Sequence, residues 1–112
     1  MQLITTSIQK KLEANFKKTM ETGETGKVVL KLFGGSNMTW LITDIDVDND
    51  IMSGLCDIGQ NCCEYGTVSL SELKSLRFPP FGLDVERDRH FKGGTVEEFL
   101  KYYNEHGTLA GC

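Results

Sequence analysis

The sequence predicts an α+β fold: an antiparallel sheet of about four strands packed by an N-terminal helix, with another helix at the C-terminal end. Three patterns lead there. Between Ile8 and Met20 apolar residues recur at every fourth position, the spacing of one face of a helix. From residue 27 to residue 70 short runs of branched and aromatic residues are broken by glycine and asparagine, as in hairpin-linked strands. After Thr95 the helical spacing returns.

Each element has a local cause. Thr6 or Ser7 is the expected cap of the first helix, since a short hydroxyl accepts from the free amides of the opening turn. Ile8, Leu12, Phe16 and Met20 form its apolar stripe, with Lys10, Lys11, Lys17 and Lys18 off it, and Gly23 and Gly26 end it. Lys27–Phe33 reads as a strand, Gly34-Gly35-Ser36-Asn37 as a hairpin turn, and Met38 to about Ile45 as a second strand. Strict alternation in that second strand puts Met38, Trp40 and Ile42 on one face and Leu41, Thr43 and Ile45 on the other. Ile51–Ile58 and Tyr65–Leu70 follow as strands. A helical turn starts at Ser69 or Ser71 and runs through Leu76, with Leu70, Leu73 and Leu76 inward. Pro79, Pro80 and Gly82 impose an irregular segment. Thr95-Val96-Glu97-Glu98 is a capping box, opening a last helix that directs Val96, Phe99, Leu100 and Tyr103 inward and stops at Gly107.

At 112 residues, with 39% hydrophobic and 25% charged side chains, the chain suits one globular domain over residues 1–112, read as a core of 3–92 and a helical extension of 93–112. The net charge of -4 argues against a protein that coats nucleic acid by neutralising phosphates. Charge is unevenly placed. Residues 1–31 carry six lysines, whereas 44–64 carry Asp44, Asp46, Asp48, Asp50, Asp57 and Glu64 with no cation. Neither a signal peptide nor an apolar run long enough to cross a bilayer is evident, which predicts a cytoplasmic protein with no membrane partner. Cys56, Cys62, Cys63 and Cys112 then stay reduced, and they lack the paired CxxC spacing of zinc sites; of Cys62 and Cys63, one is expected buried and one exposed.

Candidate chemistry is sparse. The alternating Asp44, Asp46, Asp48 and Asp50 fail the calcium-loop test. Counting from Asp44 the sixth and twelfth residues are Asn49 and Leu55; counting from Asp46 they are Ile51 and Asp57. Glu86-Arg87-Asp88-Arg89-His90-Phe91 is the densest functional segment. As a strand it puts Glu86, Asp88 and His90 on one face, an arrangement able to hold a divalent metal, and Arg87, Arg89 and Phe91 on the other. The blander alternative is an edge strand with Arg87 and Asp88 in an ion-pair network. Trp40 either fills the core or stacks a ligand ring, and Phe78, Phe81 and Phe91 interleave with Arg77, Arg87 and Arg89 as in nucleotide-stacking surfaces. No catalytic residue, metal set or cofactor is assigned.

Tyr65-Gly66-Thr67-Val68-Ser69-Leu70-Ser71-Glu72-Leu73, Pro80-Phe81-Gly82-Leu83-Asp84-Val85-Glu86-Arg87-Asp88 and Phe91-Lys92 resemble an uncharacterised bacterial family, around GYxSLxEL-like and FGLxxERDxxF patterns. Leu3-Ile4-Thr5 and Thr39-Trp40 are also similar, so the resemblance runs from about residue 3 to 92. Cys62-Cys63 and Phe78-Pro79 depart from it, and the tail from Gly93 reads as an addition. The resemblance implies a small cytosolic domain of the kind encoded on plasmids, conjugative elements and phages. The expected function is a non-enzymatic accessory protein of a mobile genetic element that binds a host or defence protein as an inhibitor. The alternatives are a nucleotide-binding module and a metal-dependent hydrolase. Binding residues are expected among Trp40, Arg77, Glu86, Arg87, Asp88, Arg89 and Phe91, and homo-oligomerisation stays open.

Overall fold

In the computed structural model, which describes residues 2–35, 37–59 and 62–112, the hairpin-linked strands form one antiparallel sheet flanked by helices on both faces. The elements run α1 (Thr6–Thr22), β1 (Leu30–Gly34), β2 (Met38–Asp46), β3 (Ile51–Asp57), β4 (Cys63–Ser69), α2 (Leu70–Ser75), β5 (Glu86–Arg87) and α3 (Val96–His106). The sheet order is β4-β3-β2-β1-β5. Four of these strands follow from the sequence pattern; the fifth, two residues long, closes the β1 edge through Leu32↔Arg87 and Phe33↔Glu86. Ser36, in the expected β1–β2 turn, lies outside the described residues. The cap of α1 is Thr5, not Thr6 or Ser7: its hydroxyl accepts from the Ile8 amide at 3.2 Å.

The alternation expected along β2 breaks at Thr43. Ile42 pairs with Gly54, but the next pair is Asp44 with Ser53, so Thr43 is an unpaired bulge residue. Because the side-chain period of a strand is two, one inserted residue moves everything after it to the opposite face. Ile45, expected beside Leu41, therefore packs with Trp40 and Ile42. Gly54 is what admits the bulge, since any side chain there would run into the Leu41 carbonyl.

The two faces of the sheet carry two cores. Under α1 and α2 lie Leu12, Leu30, Leu32, Trp40, Ile42, Ile45, Met52, Leu73 and Val85. On the opposite face Val28, Leu41, Leu55 and Leu109 pack beneath α3, which contributes Phe99, Tyr102 and Tyr103. Each fully buried leucine stabilises the fold by ~2 kcal/mol relative to exposure. Residues 93–112 thus cover one face of the sheet. Their helix has the expected capping box, with Thr95 and Glu98 each accepting from the other's backbone amide. The tail beyond it is fixed twice: the Leu109 amide donates to the Asp57 carboxylate at 3.0 Å, and Lys31 Nζ donates to the carbonyls of Ala110 and Cys112.

The acidic residues of 44–64 do not gather into an acidic face. Asp44 is buried and accepts from the Thr43 hydroxyl. Asp46 accepts from the Asn49 backbone and side chain, closing the β2–β3 turn. Asp50 binds the Ser69 hydroxyl at 2.7 Å and the Ser71 amide, joining that turn to the start of α2. Hydrogen bonds from Ser69 and Ser71 hold its carboxyl below the ordinary carboxylate range. Asp57 is only 2% exposed and accepts from Gly59 as well as Leu109. The cysteines are free, and Cys62 and Cys63 are both half-buried, not one buried and one exposed. Burial pushes the thiols of Cys56, Cys63 and Cys112 up, Cys63 to about 11, so these three are poor nucleophiles near neutral pH.

Candidate functional site: a tied loop and an adjoining cleft

After α2 the chain cannot continue as a helix through Pro79-Pro80, and it forms a loop closed on itself. The Phe78 amide donates to the Leu83 carbonyl at 2.9 Å, and the Leu83 amide returns a bond to Phe78 at 3.1 Å. Outside this pair Arg77 Nε meets Asp84 at 2.9 Å, while Arg77 Nη1 donates to the carbonyls of Lys74 and Leu76. On the inner side the Phe78 ring lies against Gly34 and Gly35, at the end of the β1–β2 hairpin. A side chain at Gly34 would collide with that ring, so the glycine is what seats the loop. What remains outside is apolar: Phe81 is 82% exposed and Leu83 60%.

The same hairpin end borders a cleft of about 500 Å³. Lys31, Phe33 and Thr39 line it from the sheet, Gly35 and Asn37 from the turn, and Glu86 to His90 and Ala110 from its sides. The segment that shapes it is not the extended strand expected. Asp88 continues the ladder by donating its amide to Lys31 O at 3.0 Å, and its carboxylate then accepts from the His90 amide at 2.9 Å. This side-chain-closed turn ends β5 after two residues. Glu86, Asp88 and His90 consequently do not share a strand face, and no cluster of three metal-ligating residues occurs among the described residues.

The expected site residues separate into three groups. Glu86, Arg87, Asp88 and Arg89 come together around the cleft, and Arg77 braces the neighbouring loop. Within that set Arg87 is committed to the carbonyls of Gln2 and Leu3, and Asp88 faces Lys31 at 3.8 Å. Glu86 and Arg89 have no ion-pair partner among the described residues and stand exposed. Trp40, at 5% exposure, belongs to the core beneath α1 and offers no face to a ligand. Phe91 packs on Phe99 with ring centroids 5.5 Å apart, closing the opposite core. Residues outside the expected set also contribute. Phe33 and His90 line the cleft, and Phe81 tips the loop. Phe81 had a legible signal, an aromatic residue between Pro80 and Gly82 where no element can bury it. Phe33 had none, because its exposure depends on how short β5 is.

Fold and site together define a small α+β domain with helices on both sheet faces and, at one end of the sheet, a tied loop beside a cleft. A family model described as "Protein of unknown function (DUF2958)" matches residues 3–110, and the chain belongs to that family. The match takes in α3 and its tail, so the family pattern extends past residue 92. Neither a curated protein nor a solved structure matches the chain.

Proposed function

We propose that this domain is a non-enzymatic binding protein that seats on another protein through the 76–84 loop, and that it serves a mobile genetic element by inhibiting a host defence protein. The observation that carries the binding part is Phe81, exposed at the tip of a loop that is tied at its base, closed at its neck and seated by Phe78. An exposed ring on a preordered loop loses little conformational entropy on docking, and aromatic anchors of this kind dominate interface energetics. A standard interface takes ~800 Å² per partner. Phe81 and Leu83, both exposed on this loop, supply its apolar contact, and Glu86 and Arg89 stand exposed at the adjoining cleft. The mobile-element setting and the defence target rest on the family resemblance, not on geometry. Charge mimicry by the 44–64 stretch is not part of the reading, since those carboxylates are largely engaged within the fold. The test is affinity capture from a lysate of a plasmid- or phage-bearing bacterial host, comparing the native chain with Phe81→Ala of equal thermal stability. A defence protein retained by the native chain and lost by the variant supports the reading. Retention that ignores Phe81, or no retained protein, overturns it.

A second reading, a nucleotide-binding module, is favoured by one observation: the cleft joins the half-open Phe33 ring to the uncommitted Arg89 and His90, a stacking surface beside phosphate-binding groups. Trp40 has no part in it, and its fluorescence is a poor reporter. Calorimetry with nucleoside mono- and triphosphates, native against Arg89→Ala, decides it: heat of binding that vanishes in the variant supports the cleft, and no heat in either rejects it.

A further inference from the structure

The two edges of the sheet are finished differently. At the β5 edge the exposed strand is two residues long and turns away at Asp88. At the other edge β4 runs seven residues, Cys63–Ser69, with no neighbour beyond it in the sheet among the described residues. Sheet edges are normally protected from pairing by lysine, proline, a bulge or shortness. β4 has none of these: it pairs with β3 in unbroken register from Cys63 to Ser69 and carries one charge, Glu64.

Gly66 is the second, independent observation. It stands at the middle of β4, where glycine weakens a strand for want of a side chain to pack. Other glycines near the sheet have evident causes, Gly54 at the bulge and Gly34 beneath Phe78. A side chain built on Gly66 would meet nothing within 4 Å, and the residue is not among those with positive φ. Nothing among the described residues requires glycine there. Glycine within an unbulged strand otherwise marks the close approach of a ligand or of another backbone.

We infer that β4 is a self-association edge, pairing antiparallel with β4 of a second copy about a twofold axis at Gly66. The strand is self-complementary in this register. Gly66 faces Gly66, Tyr65 faces Thr67 of the other copy, Glu64 faces Val68, and Cys63 faces Ser69. Tyr65 with Thr67 is an aromatic–branched cross-strand pair, and the two Glu64 carboxylates are held apart. The axis also sets Glu64 beside the strand end from which the other copy's α2, bearing Lys74, begins. The product is a continuous sheet of ten strands from two copies of five. Seven paired residues bury less than a standard interface, so the dimer is reversible and concentration-dependent.

Sedimentation velocity on the full chain over a concentration series is the test, with Thr67→Lys as the disrupting variant. Thr67 is exposed, and lysine is the usual guard of a free edge. The native chain should sediment as a monomer–dimer equilibrium and the variant as a monomer. Gly66→Cys fixes the register: directly opposed residues lie roughly 4.5–5.5 Å apart between Cα atoms, within disulfide reach. Diamide, which takes up the two thiol hydrogens, should therefore link Gly66→Cys chains into a covalent dimer well above the native baseline. A native chain monomeric up to its solubility limit, or a dimer indifferent to Thr67→Lys, overturns the proposal. Dimerisation without the Gly66→Cys link overturns the register.

Discussion

The 44–64 stretch and the 76–91 segment are two regions in which charged residues crowd the sequence, and the fold treats them in opposite ways. In the first, Asp44, Asp46, Asp50 and Asp57 turn inward to hold a bulge, a turn, a helix start and the C-terminal tail. In the second, Arg77, Arg87 and Asp88 serve as ties, and their effect is to hold other groups outward: Phe81, Leu83, Arg89 and His90. A charged run is a surface only when the backbone around it is already satisfied. Where turns and caps lack partners, the nearest carboxylates are drawn into them.

The comparison can be broken most severely at Asp57. Asp57→Ala leaves the buried Leu109 amide without its acceptor and frees the Gly59 amide at the surface, and should cost about 2 kcal/mol of stability. Urea denaturation reads the loss, and faster hydrogen exchange at Leu109 locates it. If acidic residues here were merely surface, the midpoint would not move. Phe81→Ala should do the reverse: stability within about 0.5 kcal/mol of native, but captured partner weakened by ~2 kcal/mol or more in a binding titration. Asp48→Asn, at the exposed turn, should change neither measurement. Arg77→Ala sharpens the contrast from the other side. Its ion pair with Asp84 is exposed, so the stability loss should stay below ~1 kcal/mol, while exchange of the Leu83 amide quickens as the loop loosens. A smaller effect is acid-dependent. The folded Asp50 carboxyl titrates below its unfolded value, so its contribution is complete above the unfolded pKa and disappears as pH falls through the folded one. Below about pH 4 the native chain should therefore lose stability more steeply than Asp50→Asn. Urea midpoints in formate and phosphate buffers test this, and parallel slopes would contradict it.

Much of the architecture was legible because it rests on local signals. The helical spacing from Ile8, the Thr95–Glu98 box and the alternating runs each correspond to a described element, although Met20, the last residue of the expected stripe, is exposed. The face of Ile45 was not legible, because it depends on Gly54 across the ladder accepting a bulge at Thr43. Nor was the end of β5. Glu86–Phe91 has a strand's alternation, yet the Asp88 side chain closes a turn that propensity does not weigh. Of the expected site residues, Glu86 to Arg89 line one cleft. Which of them face solvent followed from long-range partners, Gln2 and Leu3 for Arg87 and Phe99 for Phe91.

The ties at Arg87 and Lys31 have a mechanical meaning. Residues 2 and 3 hang on Arg87, residues 110 and 112 hang on Lys31, and Lys31 is bonded to the neighbour of Arg87. A pulling force applied between those two ends is therefore carried first by a few side-chain contacts at one short seam. The ladders of β1 to β4 come under load only after that seam has opened. Stretched this way, the domain should yield in two steps, peeling at low force before the sheet resists.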